Sequence, residues 1–120
     1  MFDHVGIKVK NITASAKFYA AILAPLGYVI DKSGTGFGPA NAPGLWLYES
    51  DGTQCTGLHI AFRAANRAAV EHFYGAGLEV GGKDNGKPGI RADYDPAYYA
   101  AYLIDLDGNN IEAVCIGEGK

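Results

Sequence analysis

Two stretches of the chain alternate between apolar and polar side chains. Over 3–9, Val5, Ile7 and Val9 share one parity and His4, Gly6 and Lys8 the other. Over 58–64, Ile60 and Phe62 oppose His59, Ala61 and Arg63. A period of two predicts strands with one buried face. Each stretch is followed by helical spacing. Ala14, Phe18, Ala21 and Ile22 predict a helix over 13–24, opened by Thr13 or Asn11. Ala69, Val70 and Phe73 predict a helix over 66–76, opened by Asn66 and closed by Gly77. Further strands are expected over 28–31, 45–49, 78–81, 97–105 and 110–116, with Asp107-Gly108 marking the turn between the last two.

The two halves repeat. Laid over each other at an offset of 55, His4 falls on His59, Ala14 on Ala69, Phe18 on Phe73 and Tyr19 on Tyr74. A long period with two copies predicts a pair of modules, about 1–55 and 56–120, within one domain spanning 1–120. Strand, helix and further strands in each module make the fold α+β. The face turned away from each helix carries His4 and Lys8 in one copy and His59 and Arg63 in the other. The alternation therefore suggests modules that curl these faces into one shared cup, with the helices outside.

Composition narrows the function. The chain has 120 residues, 48% hydrophobic and 19% charged, with a net charge of −3, so it is expected to be globular rather than disordered. Ten basic against 13 acidic residues give no electrostatic case for nucleic acid. No apolar run reaches the length of a membrane span, and the start of the chain lacks the blocks of a signal peptide, so a soluble cytoplasmic protein is expected. Cys55 and Cys115 have no metal-like spacing and are read as fillers rather than a disulfide, Cys55 with the option of an exposed thiol. The 17 glycines cluster over 34–44 and 75–89, as loops on a scaffold. Gly34 to Gly38 lacks a following helix and a Lys-Ser/Thr pair, which argues against a phosphate loop.

Candidate chemistry centres on His4 and His59, matched in the repeat and able to offer neutral nitrogen donors to one metal ion. Glu112 alternates against Ile111, Ala113 and Cys115, so its carboxylate points away from the apolar side, where it needs a partner or an ion. Two histidines and a carboxylate form a facial triad with open positions. In the first copy Glu112 maps near Leu47 or, with a shift of two, onto Glu49, a further candidate ligand and proton-transfer group. His72 reads as solvated surface. Tyr98 and Tyr99 are adjacent, so one of them faces the cup. Trp46, by its assigned parity, faces the helices, and Phe37 is a pocket-wall candidate. Lys8 and Arg63 either hold an anionic substrate or are solvated strand ends. Arg91, Asp93 and Asp95 form a lid or an ion pair beside the tyrosines.

Asp3-His4-Val5-Gly6, Ser15-Ala16-Lys17-Phe18-Tyr19, Gly57-Leu58-His59-Ile60-Ala61-Phe62 and Leu106-Asp107-Gly108-Asn109-Asn110-Ile111-Glu112 together resemble the vicinal oxygen chelate superfamily, which includes glyoxalase I, bleomycin-resistance proteins and extradiol dioxygenases. The resemblance covers essentially the whole chain. It implies paired βαβββ modules around a metal-binding cup, with ligands at His4, His59 and Glu112 and a fourth position at Leu47, which cannot ligate. It implies a divalent ion (iron, manganese, nickel, cobalt or zinc), a small substrate with vicinal oxygens, and a homodimer, since modules in the superfamily often pair between chains. Glu112, Glu49 or Asp95 would move the proton in an isomerase or lyase. Tyr98, Tyr99, Arg63, Lys8 and Asp95 are the candidate substrate contacts. Around 94–102 the chain is similar to small glyoxalase-like proteins, with Asp95 where a histidine is common. The alternative is a metal-free, bleomycin-resistance-like binding protein.

Overall fold

The computed structural model describes residues 1–117 of the chain. Its elements run β1 (Val5–Val9), α1 (Ile12–Leu23), β2 (Val29–Ile30), β3 (Gly36–Gly38), β4 (Leu45–Glu49), β5 (His59–Arg63), α2 (Arg67–Glu79), β6 (Lys83–Ile90), β7 (Tyr98–Ile104) and β8 (Asn110–Ile116), with a short 3-10 turn, Ala24–Leu26, after α1. The strands form two four-stranded mixed sheets, ordered β1-β4-β3-β2 and β5-β8-β7-β6. In each, the first strand pairs parallel with the last, and the remaining pairs are antiparallel. The two sheets thus have one topology, as the repeat in the sequence requires. Among the described residues no strand of one sheet pairs with the other, and β1 and β5 are each an edge.

Both helices begin where a side chain accepts from the backbone. Asn11, not Thr13, caps α1 through Ala14 N at 3.0 Å, and Asn66 caps α2 through Ala69 N at 2.9 Å. Phe18, Tyr19, Ile22 and Leu23 line the buried stripe of α1, and Val70 and Phe73 that of α2. These join Ile7, Val9, Leu45, Leu47, Leu103 and Ile111 in one core. Each fully buried side chain of this size contributes ~1.5–3 kcal/mol.

The strand expected over 78–81 does not form. Helix α2 continues to Glu79, and Gly77 lies inside it rather than closing it. A Cβ on Gly77 would stand 2.2 Å from Leu103 Cδ1, so the glycine permits close packing of helix on sheet. The next strand is β6, in a stretch read as loop. Its Lys-Asp-Asn-Gly-Lys-Pro-Gly-Ile sequence has no alternation; it is an edge strand with register shifts, defined by pairing with β7. The three-residue β3 was also unmarked. Among the described residues no helix is long and apolar enough to cross a membrane.

A buried polar node ties the first module to the second. Tyr19 on α1 donates to Asp105 Oδ2 at 2.5 Å, and Asp105 Oδ1 accepts from the backbone N–H groups of Asp107 and Asn109. Burial, then the neighbouring Asp105 carboxylate, pushes the Tyr19 hydroxyl far above the ordinary tyrosine value. Tyr19→Phe is expected to lower stability at pH 7 by ~2 kcal/mol, read as a lower urea midpoint; an unchanged midpoint contradicts this role. Above about pH 10 the unfolded tyrosine loses its proton while the folded one keeps it, so wild-type stability falls and its advantage over Tyr19→Phe shrinks. Gly77→Ala gains helix propensity but forces Leu103 aside, for a net loss of ~1–2 kcal/mol by the same assay.

Candidate functional site

Parallel pairing sets His59 opposite Asn110 and Ala61 opposite Glu112, and antiparallel pairing sets Tyr102 opposite Glu112. One face of the second sheet therefore carries His59, Ala61 and Arg63, then Asn110 and Glu112, then Tyr98 and Tyr102. The other face carries Phe62, Ile111, Ala113 and Leu103, and packs on α2 through Leu103 and Gly77.

Glu112 is the centre of the exposed-side cluster, though it is itself only 2% exposed. His59 Nε2 lies 3.0 Å from its Oε1, and the Tyr98 hydroxyl donates to its Oε2 at 2.5 Å. Both carboxylate oxygens are thus occupied, which is what a buried carboxylate requires. Burial, followed by the Glu112 hydrogen bond, holds the Tyr98 hydroxyl well above its usual range. Tyr102 stacks on His59 with ring centroids 6.3 Å apart, and burial together with the Glu112 charge pushes its hydroxyl up to about 12. Tyr94 closes edge-on against Tyr98 at 4.9 Å.

His59 is held in place by the turn before β8. Asn109 is fully buried; its Oδ1 accepts from Leu58 N and its Nδ2 donates to Cys55 O and Asp105 Oδ2. Asn110 N then donates to Leu58 O at 2.7 Å, which aligns β5 with β8 one residue before His59.

The first sheet answers differently. His4 precedes β1, is half exposed, and pairs through Nδ1 with Asp3 at 2.7 Å. Gly6, the counterpart of Ala61, sits opposite Trp46, so Trp46 and not Leu47 or Glu49 is the structural counterpart of Glu112. This corrects the assignment of Trp46 to the helix side. Leu45 and Leu47 are the buried parity of β4, and Trp46 shares its face with Gly6. Its indole lies over Gly36, where a Cβ would come within 2.6 Å of the ring. Glu49 pairs with Val9, at the parity of Leu45 and Leu47.

The structure brings His59, Glu112 and Tyr98 together. Arg63 shares their face but is exposed at the strand end. Lys8 is exposed in the other sheet, 3.9 Å from Asp51. Asp95 serves its own turn, accepting from Ala97 N at 2.7 Å. Tyr99 faces α2, donating to Glu71 at 2.6 Å under Arg67, and that hydrogen bond followed by burial raises its hydroxyl. His72 is exposed on α2. Tyr102 was not singled out in the sequence, although it stands at the parity of Tyr98 on the same strand. Among the described residues no three His, Cys, Asp or Glu side chains assemble as a metal group.

No family model matches the sequence, and neither does any curated protein. Solved structures do. A glyoxalase/bleomycin resistance protein from Albidiferax ferrireducens is 30% identical, with a TM-score of 0.78 over 96% of this chain and 98% of that one. The chain belongs to the glyoxalase/bleomycin resistance protein family of the vicinal oxygen chelate superfamily. A glyoxalase/bleomycin resistance protein/dioxygenase family enzyme from Burkholderia phytofirmans shares the fold at 16% identity and a TM-score of 0.73, over 95% of this chain and 97% of that one. A glyoxalase/dioxygenase from Nostoc punctiforme does so at 21% and 0.69, over 98% and 92%.

Within this family member, an apolar cavity of about 270 Å³ lies away from Glu112, between Phe37 and Leu45 of the first module and Ile60 and Phe62 of the second. The polar chemistry is therefore concentrated on the open sheet face. Tyr98→Phe removes one of the two partners of Glu112. It is expected to cost ~1 kcal/mol, less than Tyr19→Phe because Tyr98 is partly exposed to solvent, and urea unfolding of both variants side by side checks the order.

Proposed function

We propose that the face bearing His59 and Glu112 is a metal-dependent catalytic site for a small substrate with vicinal oxygens. The observation that carries this reading is the buried Glu112 carboxylate with an imidazole nitrogen 3.0 Å away. A carboxylate and an imidazole converging on an open sheet face are a costly way to pack a surface and a normal way to hold a divalent ion. The third donor is His4. It precedes β1 of the other sheet, so the reading includes a homodimer in which His4 of a second copy completes the set. Strands β1 and β5 are sheet edges, β1 with Lys8 already bonded to Cys55 of the same chain, and pairing between copies is part of this reading. When bound, the ion supplies Lewis-acid polarisation of the two vicinal oxygens. Glu112 then holds or moves a proton at Oε2, where the Tyr98 hydroxyl orients it, and Tyr102 keeps the His59 ring in position.

A metal-free binding protein is the second reading. It is favoured by Trp46, an aromatic side chain standing where the first sheet would otherwise repeat the carboxylate of Glu112.

Elemental analysis of protein purified without chelator separates the two. The first reading predicts about one metal ion per chain, lost on His59→Ala and Glu112→Gln and reduced by His4→Ala. No metal in the wild type, even after incubation with iron, nickel and zinc, overturns it and leaves the binding protein.

A further inference from the structure

Arg91 follows β6 and returns over the sheet beside the site. Its guanidinium lies 5.2 Å from the centre of the Tyr102 ring, and its Nη2 donates to Lys87 O at 2.6 Å. The strand beneath it is glycine-rich: a Cβ on Gly86 would stand 3.2 Å from Nη2, and one on Gly89 3.1 Å from Nη1. The side chain is half-buried and fixed by stacking on and a hydrogen bond to Tyr102, by the Lys87 carbonyl and by the bare backbone of β6, which leaves further guanidinium N–H groups for a ligand. The sequence suggested an ion pair with Asp93 or Asp95. Among the described residues no carboxylate lies within ion-pair distance of Arg91. Asp95 is used by Ala97 N, and Asp93 is exposed. Lys8 and Arg63, the other basic candidates, are an exposed partner of Asp51 and an exposed strand end.

A guanidinium immobilised without a counter-ion presents a planar donor fork for an anion, and a carboxylate matches that fork in two parallel hydrogen bonds. Strand order puts His59 on β5 and Glu112 on β8 to one side of Tyr102, with Arg91 beyond β7 on the other. We infer that Arg91 anchors the carboxylate of an organic acid that lies across Tyr102, its vicinal oxygens at the His59–Glu112 end. The inference rests on the proposed function for where the site is, and adds the class of substrate. It keeps the ligand carboxylate at the β6 end, apart from the negative charge of Glu112.

The test uses the whole chain and two probes of equal shape, benzoate and benzamide, followed by nitrogen-15 NMR at the Arg91 Nε–H resonance. Benzoate is expected to bind at least about tenfold tighter than benzamide and to shift that resonance. Arg91→Gln should abolish the preference, and Arg91→Lys, which keeps the charge but loses the fork, should retain part of it. Equal affinities, a preference that survives Arg91→Gln, or no benzoate binding at roughly 10 mM overturn the inference. If Arg91→Gln does not fold, the wild-type resonance and Arg91→Lys decide. Neither probe needs a metal ion. A benzoate preference in protein that holds no metal therefore keeps this inference and removes the metal-dependent reading, whereas metal binding without a preference does the reverse.

Discussion

Asp105 is 5% exposed, and its two carboxylate oxygens accept four hydrogen bonds: from the Tyr19 hydroxyl, the backbone N–H groups of Asp107 and Asn109, and the Asn109 side chain. A carboxylate this deep persists only with such donors, and removing it would leave several buried N–H and O–H groups without an acceptor, each at ~1–3 kcal/mol. The node spans the molecule. Tyr19 belongs to the first helix, Asn109 to the turn between β7 and β8, and Asn109 in turn holds Leu58 and Cys55 on the connection between modules. Cys55 N also reaches Lys8 O on β1. The residues that align β5 with β8, and so place His59 over Glu112, are the same residues that dock the first module onto the second.

Two copies of one topology carry different chemistry. At equivalent positions, one sheet has Gly6 opposite Trp46 and the other Ala61 opposite Glu112. In the first, the glycines admit aromatic rings against the backbone, Trp46 over Gly36 and Tyr48 over Gly6. In the second, the matched position holds a buried carboxylate whose oxygens are taken by His59 and Tyr98. The repeat supplies the scaffold, and single differences at matched sites decide which half carries the buried carboxylate.

Much of this was legible in residue order. The alternation of 3–9 and 58–64, the matched His4 and His59, the two helices and the outward parity of Glu112 follow from period and spacing alone, because one-sided burial leaves a regular mark. The remainder depended on partners distant in sequence. Laying strand on strand by sequence places the counterpart of Glu112 at Leu47 or Glu49, because the offset between the halves grows from 55 at the helix caps to 66 at β3 and β4 and only the pairing registers fix it. Trp46 is misplaced by an assigned parity that is off by one residue, since Leu45 and Leu47 hold the buried side of β4. Strand β6 was invisible because its glycines and proline mark a loop, and only pairing with β7 makes it a strand. Tyr98 could be placed on one face or the other but not bonded to Glu112, since that contact crosses from β7 to β8.

The central claim is that His59 and Glu112 converge to hold an ion rather than to pack a surface. Anomalous diffraction from crystals of the protein soaked in manganese tests it directly. The account predicts one strong peak within ligand distance of His59 Nε2 and a Glu112 oxygen, with the direct contact between the two side chains replaced by the ion and His4 of a second copy beside it. An unchanged His59–Glu112 contact with no peak there would contradict it.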